Sequence, residues 1–137
     1  MKLREEEILQ AQCISLFGFL NLNQKVEIYS NRNESGKGGK KGTKEYLNAL
    51  ISGSNYKKMG RVSGVPDLSI LWKGGNAFIE LKTKKAYFTK KGKVSKSRGL
   101  SNSQIEFHKK LEDLDIPVFV AYDLESFQDV FTKLNLL

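Results

Sequence analysis

The sequence has little of the chemistry that builds disulfides or zinc sites, with one cysteine and one histidine among 137 residues. A lone cysteine cannot close an internal disulfide, and with a single histidine it cannot complete a zinc site. We therefore expect Cys13 to be a small core residue. No apolar run approaches the ~18 residues that span a bilayer. The segment Met1–Glu7 is too acidic for a signal peptide. We expect a soluble intracellular protein with one domain over residues 1–137.

Acidic residues are outnumbered, since 23 lysines and arginines stand against 15 aspartates and glutamates. The net charge of +8 favours a polyanionic partner, nucleic acid before membrane. Two basic segments, about 32–44 and 83–100, concentrate this charge and are predicted to be mobile loops. Lysines among glycines suit phosphate backbones rather than base edges, and solvated linkers are the alternative. The predicted DNA-binding residues are Arg32, Lys37, Lys40, Lys41, Lys44, Lys84, Lys85, Lys90, Lys91, Lys93, Lys96 and Arg98.

The strongest functional signal is a pair of acids separated by twelve residues, Asp67 after a proline and Glu80 two positions before Lys82. Both acids border apolar, strand-like segments, and residues 73–76 supply a turn between them. An antiparallel hairpin folded at that turn brings Asp67 close to Glu80. Two carboxylates and a lysine placed in this way can hold a divalent cation against a phosphodiester.

The surroundings of Glu80 strengthen this interpretation. Phe78, Ile79 and Leu81 are typical of an internal strand that is apolar on both faces. A carboxylate there needs a cation nearby, either a metal or a basic side chain, because its desolvation costs on the order of several kcal/mol. Lys82 lies on the same face of the strand. The alternative is structural: Asp after Pro is common in turns, and Glu80 with Lys82 can be a plain ion pair.

The remaining pattern predicts an α/β fold with a mixed sheet flanked by helices. Its predicted helices span about 5–20, 44–51, 101–114 and 124–134, and its predicted strands span 25–29, 67–72, 77–81 and 116–122. Ile105, Leu111 and Leu114 are expected to face inward from the third helix. That helix leads into a strand expected to lie parallel to the one that carries Glu80.

Three ordered motifs, Gly64-Val65-Pro66-Asp67-Leu68, Phe78-Ile79-Glu80-Leu81-Lys82 and Leu100-Ser101-Asn102-Ser103-Gln104 followed by Phe107, resemble the virus-type replication-repair nuclease (VRR-NUC) family. This family is a branch of the PD-(D/E)xK nucleases, and the resemblance covers nearly the whole chain except the basic segments. It implies a restriction-endonuclease-like core with a mixed β-sheet flanked by helices. It also implies hydrolysis of DNA phosphodiesters with Mg²⁺ or Mn²⁺, leaving 5′-phosphate and 3′-hydroxyl ends.

The resemblance implies roles for individual residues. Asp67, Glu80 and the Leu81 backbone carbonyl would hold the cation, and Lys82 would orient water and stabilise charge in the transition state. An acid on the first helix, four residues before a glutamine, would join them. Glu6 with Gln10 fits this spacing, with Glu5 and Glu7 as rivals.

Two residues of the third helix have competing interpretations. Gln104 is implied to be a site residue, but Ser101-x-x-Gln104 is also a capping box. Both roles are compatible, because a helix N-terminus aimed at a phosphate favours an anion. His108 lies one turn further along the same face, and we expect a structural or substrate-contact role for it before a catalytic one.

The substrate is implied only by the resemblance. It points to an endonuclease of DNA repair that acts on branched DNA, with Holliday junctions leading, as a two-fold homodimer of phage or prophage origin in the bacterial cytoplasm. The alternatives are a restriction-like or nicking endonuclease and a non-cleaving basic DNA-binding module. Tyr87 and Phe88 could stack on bases or wedge a branched duplex, or they could anchor the second basic segment on the core.

Overall fold

A four-stranded mixed sheet is the centre of the fold in the computed structural model, which describes residues 4–31, 42–44, 47–48, 58, 60 and 62–137. The strands are β1 (Val26–Ser30), β2 (Leu68–Trp72), β3 (Gly75–Leu81) and β4 (Val118–Ala121), and they lie in that order across the sheet. The pairs β1–β2 and β2–β3 are antiparallel, and β3–β4 is parallel. The predicted mixed α/β sheet, the hairpin and the parallel closing strand are confirmed.

The helices are α1 (Glu5–Phe17), α2 (Lys84–Tyr87), α3 (Asn102–Asp113) and α4 (Leu124–Lys133). α1 ends three residues before the predicted Leu20, and Gly18 is its C-cap. The predicted helix over 44–51 lies mostly outside the described residues. In the part of the chain that the structure covers, no helix is long and apolar enough to cross a membrane.

One face of the sheet carries the main core. Side chains of β2 and β3 pack there with Cys13 of α1 and with Phe127 and Phe131 of α4, all fully buried. Full burial stabilises each phenylalanine by roughly 1.5–3 kcal/mol relative to exposure. The expectation that Cys13 is a core residue is confirmed. α1 and α4 are therefore fixed on this face, and the ends of β2 and β3 are held rigidly.

α3 packs beside β4 in an orientation that differs from the prediction. Leu111 is buried as expected, but Ile105 is 38% exposed and Leu114 is 68% exposed. The second buried residue of the helix is His108. At 100° per residue, Gln104, His108 and Leu111 form one stripe, while Ile105 and Leu114 flank it on opposite sides, about 60° from its edges. The inward positions predicted for Ile105 and Leu114 were therefore wrong.

The second basic segment, predicted as a mobile loop over about 83–100, contains local structure. Thr83 caps α2 by accepting a hydrogen bond from the Ala86 N–H at 3.2 Å. Phe88 and Val94 then form an antiparallel bridge. The description as a plain loop was wrong, because a capped helical turn and a small β-bridge satisfy the backbone of this segment.

Candidate active site

The open end of the β2–β3 hairpin brings the two predicted acids together. Leu68 pairs with Ile79, so continuing the register by one residue sets Asp67 opposite Glu80. The two carboxyl groups are close enough for each to shift the pKa of the other. The Leu81 N–H donates a hydrogen bond to Asp67 Oδ2 at 2.8 Å. The hairpin thus places the carboxyl groups of two residues that are distant in sequence next to each other.

This carboxyl pair is largely removed from water. Glu80 is only 1% exposed. Burial, followed by the hydrogen bond and negative charge of Glu80, raises the pKa of Asp67 to about 7, while the Leu81 N–H and Lys82 oppose the shift. Burial also raises the pKa of Glu80, against the hydrogen bond from Asp67 and the charge of Lys82. Both shifts favour the protonated form of the pair over the doubly ionised form.

Lys82 and Glu6 lie next to this pair. Lys82 Nζ is 3.9 Å from Glu6 Oε1, and the lysine side chain is 11% exposed while that of Glu6 is 48% exposed. The charges of both residues act on Glu80, with Lys82 lowering its pKa and Glu6 raising it. Glu6 is thus the acid of α1 whose carboxylate contacts the candidate site.

The neighbouring acid Glu7 has a local role in α1. Its side chain accepts a hydrogen bond from the Arg4 N–H at 3.2 Å, which satisfies a backbone donor at the start of the helix. Gln10 connects α1 to the end of β1 by donating to Ser30 Oγ at 3.2 Å. The structure therefore favours the predicted Glu6 over its rival Glu7.

Gln104 is engaged in capping its own helix. Its Oε1 accepts from the Ser101 N–H at 2.9 Å, and its backbone N–H donates to Ser101 Oγ at 3.3 Å. The capping-box interpretation is confirmed. The side-chain oxygen of Gln104 is occupied by this capping hydrogen bond. Its role as a site residue stays a prediction.

His108 lies against the buried side of Glu80. Its Nε2 is 3.5 Å from Glu80 Oε1, and the side chains are 4% and 1% exposed respectively. Burial lowers the pKa of His108, and the positive charges of Arg98 and Lys82 lower it further against Glu112. The sequence predicted that His108 shares a face with Gln104, but it carried no signal for the contact with Glu80.

Sequence reasoning assigned no role to two further residues of the site. Asn31 follows β1 and donates through Nδ2 to the Pro66 carbonyl at 3.1 Å and to Ser69 Oγ at 2.6 Å, while its N–H donates to the Asp67 carbonyl at 2.8 Å. Gly64 has φ +85°, and a Cβ there would lie 2.2 Å from the Ser103 carbonyl oxygen. Asn31 and Gly64 together fix the turn that carries Asp67.

The second basic segment adjoins the site through Lys82. An open cavity of about 560 Å³ lies on this segment, and half of its lining residues are lysines. The lining residues are Lys84, Lys85, Phe88, Thr89, Lys90 and Gly92. The Tyr87 ring stacks on Tyr122 at 4.3 Å, and Phe88 meets Tyr122 edge-on at 4.9 Å. These ring contacts support the interpretation that the two aromatics anchor the segment on the core.

The first basic segment is mostly beyond the described residues. Of its predicted DNA contacts, Arg32, Lys37, Lys40 and Lys41 lie outside them, and Lys44 is described and exposed. In the second segment, Lys91, Lys93 and Lys96 are also exposed. Lys84 Nζ is 3.4 Å from Asp123 Oδ2, so one lysine of the cavity is partly neutralised.

The predicted metal ligands are brought together only in part. Asp67 and Glu80 converge, and hard oxygen donors of this kind suit Mg²⁺ or Mn²⁺. Glu6 instead contacts Lys82. Within the described ranges, no group of three or more His, Cys, Asp or Glu side chains is arranged to hold a metal ion. These donors suit a cation that takes two carboxylates and a backbone carbonyl from the protein, rather than one surrounded entirely by protein ligands.

No protein-family model matches this chain, and no curated protein or solved structure matches it either. The features that bear on function are therefore the side chains at the open end of the β2–β3 hairpin and the basic segment beside them.

Proposed function

We propose that this chain is a metal-dependent DNA endonuclease that hydrolyses phosphodiester bonds. The observation that carries the proposal is the buried contact between the carboxyl groups of Asp67 and Glu80 next to Lys82. Two desolvated acids at one point are costly unless a proton or a cation lies between them. A protein that needed only a stable hairpin would gain from apolar residues at these positions, so the retained acid pair supports a chemical role.

A divalent cation, Mg²⁺ or Mn²⁺, would be held by Asp67, Glu80 and the Leu81 carbonyl, with Glu6 close by. When bound, such a cation withdraws charge from a phosphate and activates water for attack. The chain's own contribution is to keep the two carboxylates in register through the hairpin and to exclude bulk water from Glu80. Both features raise the affinity of the pair for a cation over that of exposed carboxylates.

Lys82 supplies the positive charge for the phosphate itself. Its side chain is mostly buried beside the acid pair, and Glu6 restrains its ammonium group. An ammonium held in place stabilises negative charge on a reacting phosphate more than a mobile one does, because it needs no reorganisation. Loss of Lys82 is therefore expected to impair the reaction more than DNA binding.

DNA binding is assigned to the basic segments. The described part, 83–100, continues directly from Lys82 and carries exposed lysines around an open cavity. Such lysines contact phosphates without reading sequence, which suits an enzyme that selects DNA by shape. With the resemblance to VRR-NUC proteins, this favours branched DNA such as a Holliday junction, cut by a homodimer in the bacterial cytoplasm during DNA repair.

A non-cleaving DNA-binding module is the second candidate. It is favoured by the lack, within the described residues, of three clustered side chains able to hold a metal. Such a module would keep the basic segment and the fold, and its acid pair would remain protonated. It predicts DNA binding that is indifferent to substitution of Asp67 and no cleavage with any divalent cation.

Cleavage of a labelled four-way junction with Mg²⁺ separates these functions. We expect the wild type to cut and Asp67→Asn to lose at least about 100-fold in rate while retaining DNA affinity, since a ligand carboxylate is lost but the lysines remain. Asp113→Asn, the same change at an exposed acid at the far end of α3, is the matched control and should cut normally.

Two results would contradict the proposal. Unchanged cleavage by Asp67→Asn would refute the site, and tight binding without cleavage by the wild type would establish the non-cleaving module. Linear duplex, flap and single-stranded DNA assayed alongside the junction test the preference for branched DNA.

A further inference from the structure

The contact between Glu80 and His108 is unusual for a protein interior. His108 is 3% exposed and Glu80 is 1% exposed. Glu80 Oε1 and His108 Nε2 are the two buried side-chain polar atoms of the described chain that have no hydrogen-bond partner. They face each other at 3.5 Å. Buried polar atoms are nearly always satisfied, so two adjacent exceptions indicate an arrangement kept for something other than stability.

The chemistry of the two atoms is complementary. A neutral imidazole carries one N–H, and with that hydrogen on Nε2 it can donate to a carboxylate oxygen. The distance of 3.5 Å is longer than a formed hydrogen bond, and a small movement would close it. Hydrogen bonds at reactive sites are often long in the free protein and shorten in the complex.

We propose that His108 is a positioning residue that orients the Glu80 carboxylate toward a divalent cation by donating a hydrogen bond from Nε2 to Oε1. This inference rests on the proposed function, because it gives Glu80 a cation to meet. A carboxylate that binds a metal through one oxygen commonly has its other oxygen held by a neighbouring donor. Here the donor comes from α3, so the helix that begins at the capping box also fixes an acid of the site.

The placement of His108 supports this role over simple packing. An apolar residue of similar size would fill the space under β3 without leaving an unsatisfied nitrogen. The ring is only 3% exposed, and its Nε2 faces Oε1 of Glu80. A hydrogen bond from this nitrogen orients Glu80 and leaves the other carboxylate oxygen for the cation.

Binding of Mn²⁺ to the purified protein without DNA tests this inference, with free Mn²⁺ followed by electron paramagnetic resonance. His108→Gln keeps a donor near the position of Nε2 and should bind close to the wild type. His108→Leu fills the space without a donor, and His108→Asn has an amide too short to reach. Both should lose about 10- to 100-fold in affinity. Raising Mn²⁺ should then restore much of the cleavage rate of these two variants.

Leu111→Ala is the control for packing, since it weakens the same helix face one turn away without altering a donor. A purely structural role for His108 predicts that His108→Leu and Leu111→Ala behave alike and that His108→Gln rescues nothing.

That pattern would overturn the inference about His108 and leave the proposed function standing. Unchanged Mn²⁺ affinity in His108→Leu and His108→Asn would do the same. Failure of the wild type to bind Mn²⁺ any better than Asp67→Asn would overturn the proposed function as well. If His108→Leu does not fold, the comparison of His108→Asn with His108→Gln decides the matter.

Discussion

At the residue scale, the site is costly to the fold when no cation is bound. Asp67 and Glu80 are held together by the hairpin, and burial raises the pKa of both. Apolar residues in their places would stabilise the hairpin more. The stability of the folded protein therefore depends on what neutralises the acid pair, which is a proton or, on our proposal, a divalent cation.

This sensitivity predicts a pH dependence of stability in EDTA. The pKa of Asp67 rises from its ordinary value of 3.8 to about 7 on folding. Between these values the folded state holds a proton that the unfolded state has lost, so the Asp67 contribution to stability falls as pH rises from about 4 to 7. The raised pKa of Glu80 acts in the same direction. At 1.36 kcal/mol per pKa unit the loss is about 2–4 kcal/mol.

Asp67→Asn lacks this dependence and should be more stable than the wild type at pH 8 in EDTA. Urea unfolding of both proteins at pH 5 and pH 8 measures the difference. Mg²⁺ should restore stability at pH 8 to the wild type alone. If the free energy of unfolding of the two proteins changed with pH in parallel, burial would not destabilise the ionised Asp67 carboxylate.

At the scale of elements, the hairpin and α3 were both predictable, but the rotation of α3 against the sheet was not. Two apolar, strand-like segments on either side of the Lys73-Gly74 turn specify the hairpin, and its register sets Asp67 opposite Glu80. The rotation of α3 depends on which of its side chains the sheet can accept. Here the sheet presents Glu80 and accepts His108, a partnership between distant residues that no local pattern encodes.

The contact between the Asp67 turn and α3 yields a test at this scale. Gly64 and Gly74 have similar positive φ angles, +85° and +90°, but a Cβ at Gly64 would collide with the Ser103 carbonyl while Gly74 has nothing within 4 Å. Both alanine variants carry the left-handed strain, of order 1–3 kcal/mol. Gly64→Ala should lose clearly more in free energy of unfolding than Gly74→Ala. Equal losses in urea unfolding would mean that the turn and α3 are not closely packed.

At the scale of the whole molecule, positive charge adjoins the end of the sheet that carries the acids. The basic segment 83–100 follows β3 directly, and Tyr87 and Phe88 fix it to Tyr122 just beyond β4. The sequence predicted the charge and offered anchoring as one of two roles for Tyr87 and Phe88. It did not identify Tyr122 as the partner, because that residue lies far along the chain. The result is a basic surface held next to the candidate site.

Three lysines of this surface test its role against three lysines elsewhere. Replacing Lys90, Lys91 and Lys93 by glutamine should reduce the slope of log affinity against log salt by about one per lost phosphate contact. The matched control replaces Lys25, Lys73 and Lys133, which lie toward the opposite end of the sheet, and should leave the slope unchanged. Fluorescence anisotropy with labelled junction DNA in EDTA measures both. Equal slopes in the two triple variants would mean that these lysines of the basic segment do not contact DNA phosphates.

The central claim is that the Asp67 and Glu80 pair cuts DNA with a divalent cation. Its most direct measurement is the fate of a labelled four-way junction incubated with the wild type in Mg²⁺, in EDTA, and with Asp67→Asn in Mg²⁺. We predict nicks in the first reaction alone, with 5′-phosphate and 3′-hydroxyl ends that DNA ligase reseals without further treatment. Nicks of equal yield with Asp67→Asn, or none in Mg²⁺ above the EDTA background, would contradict the claim.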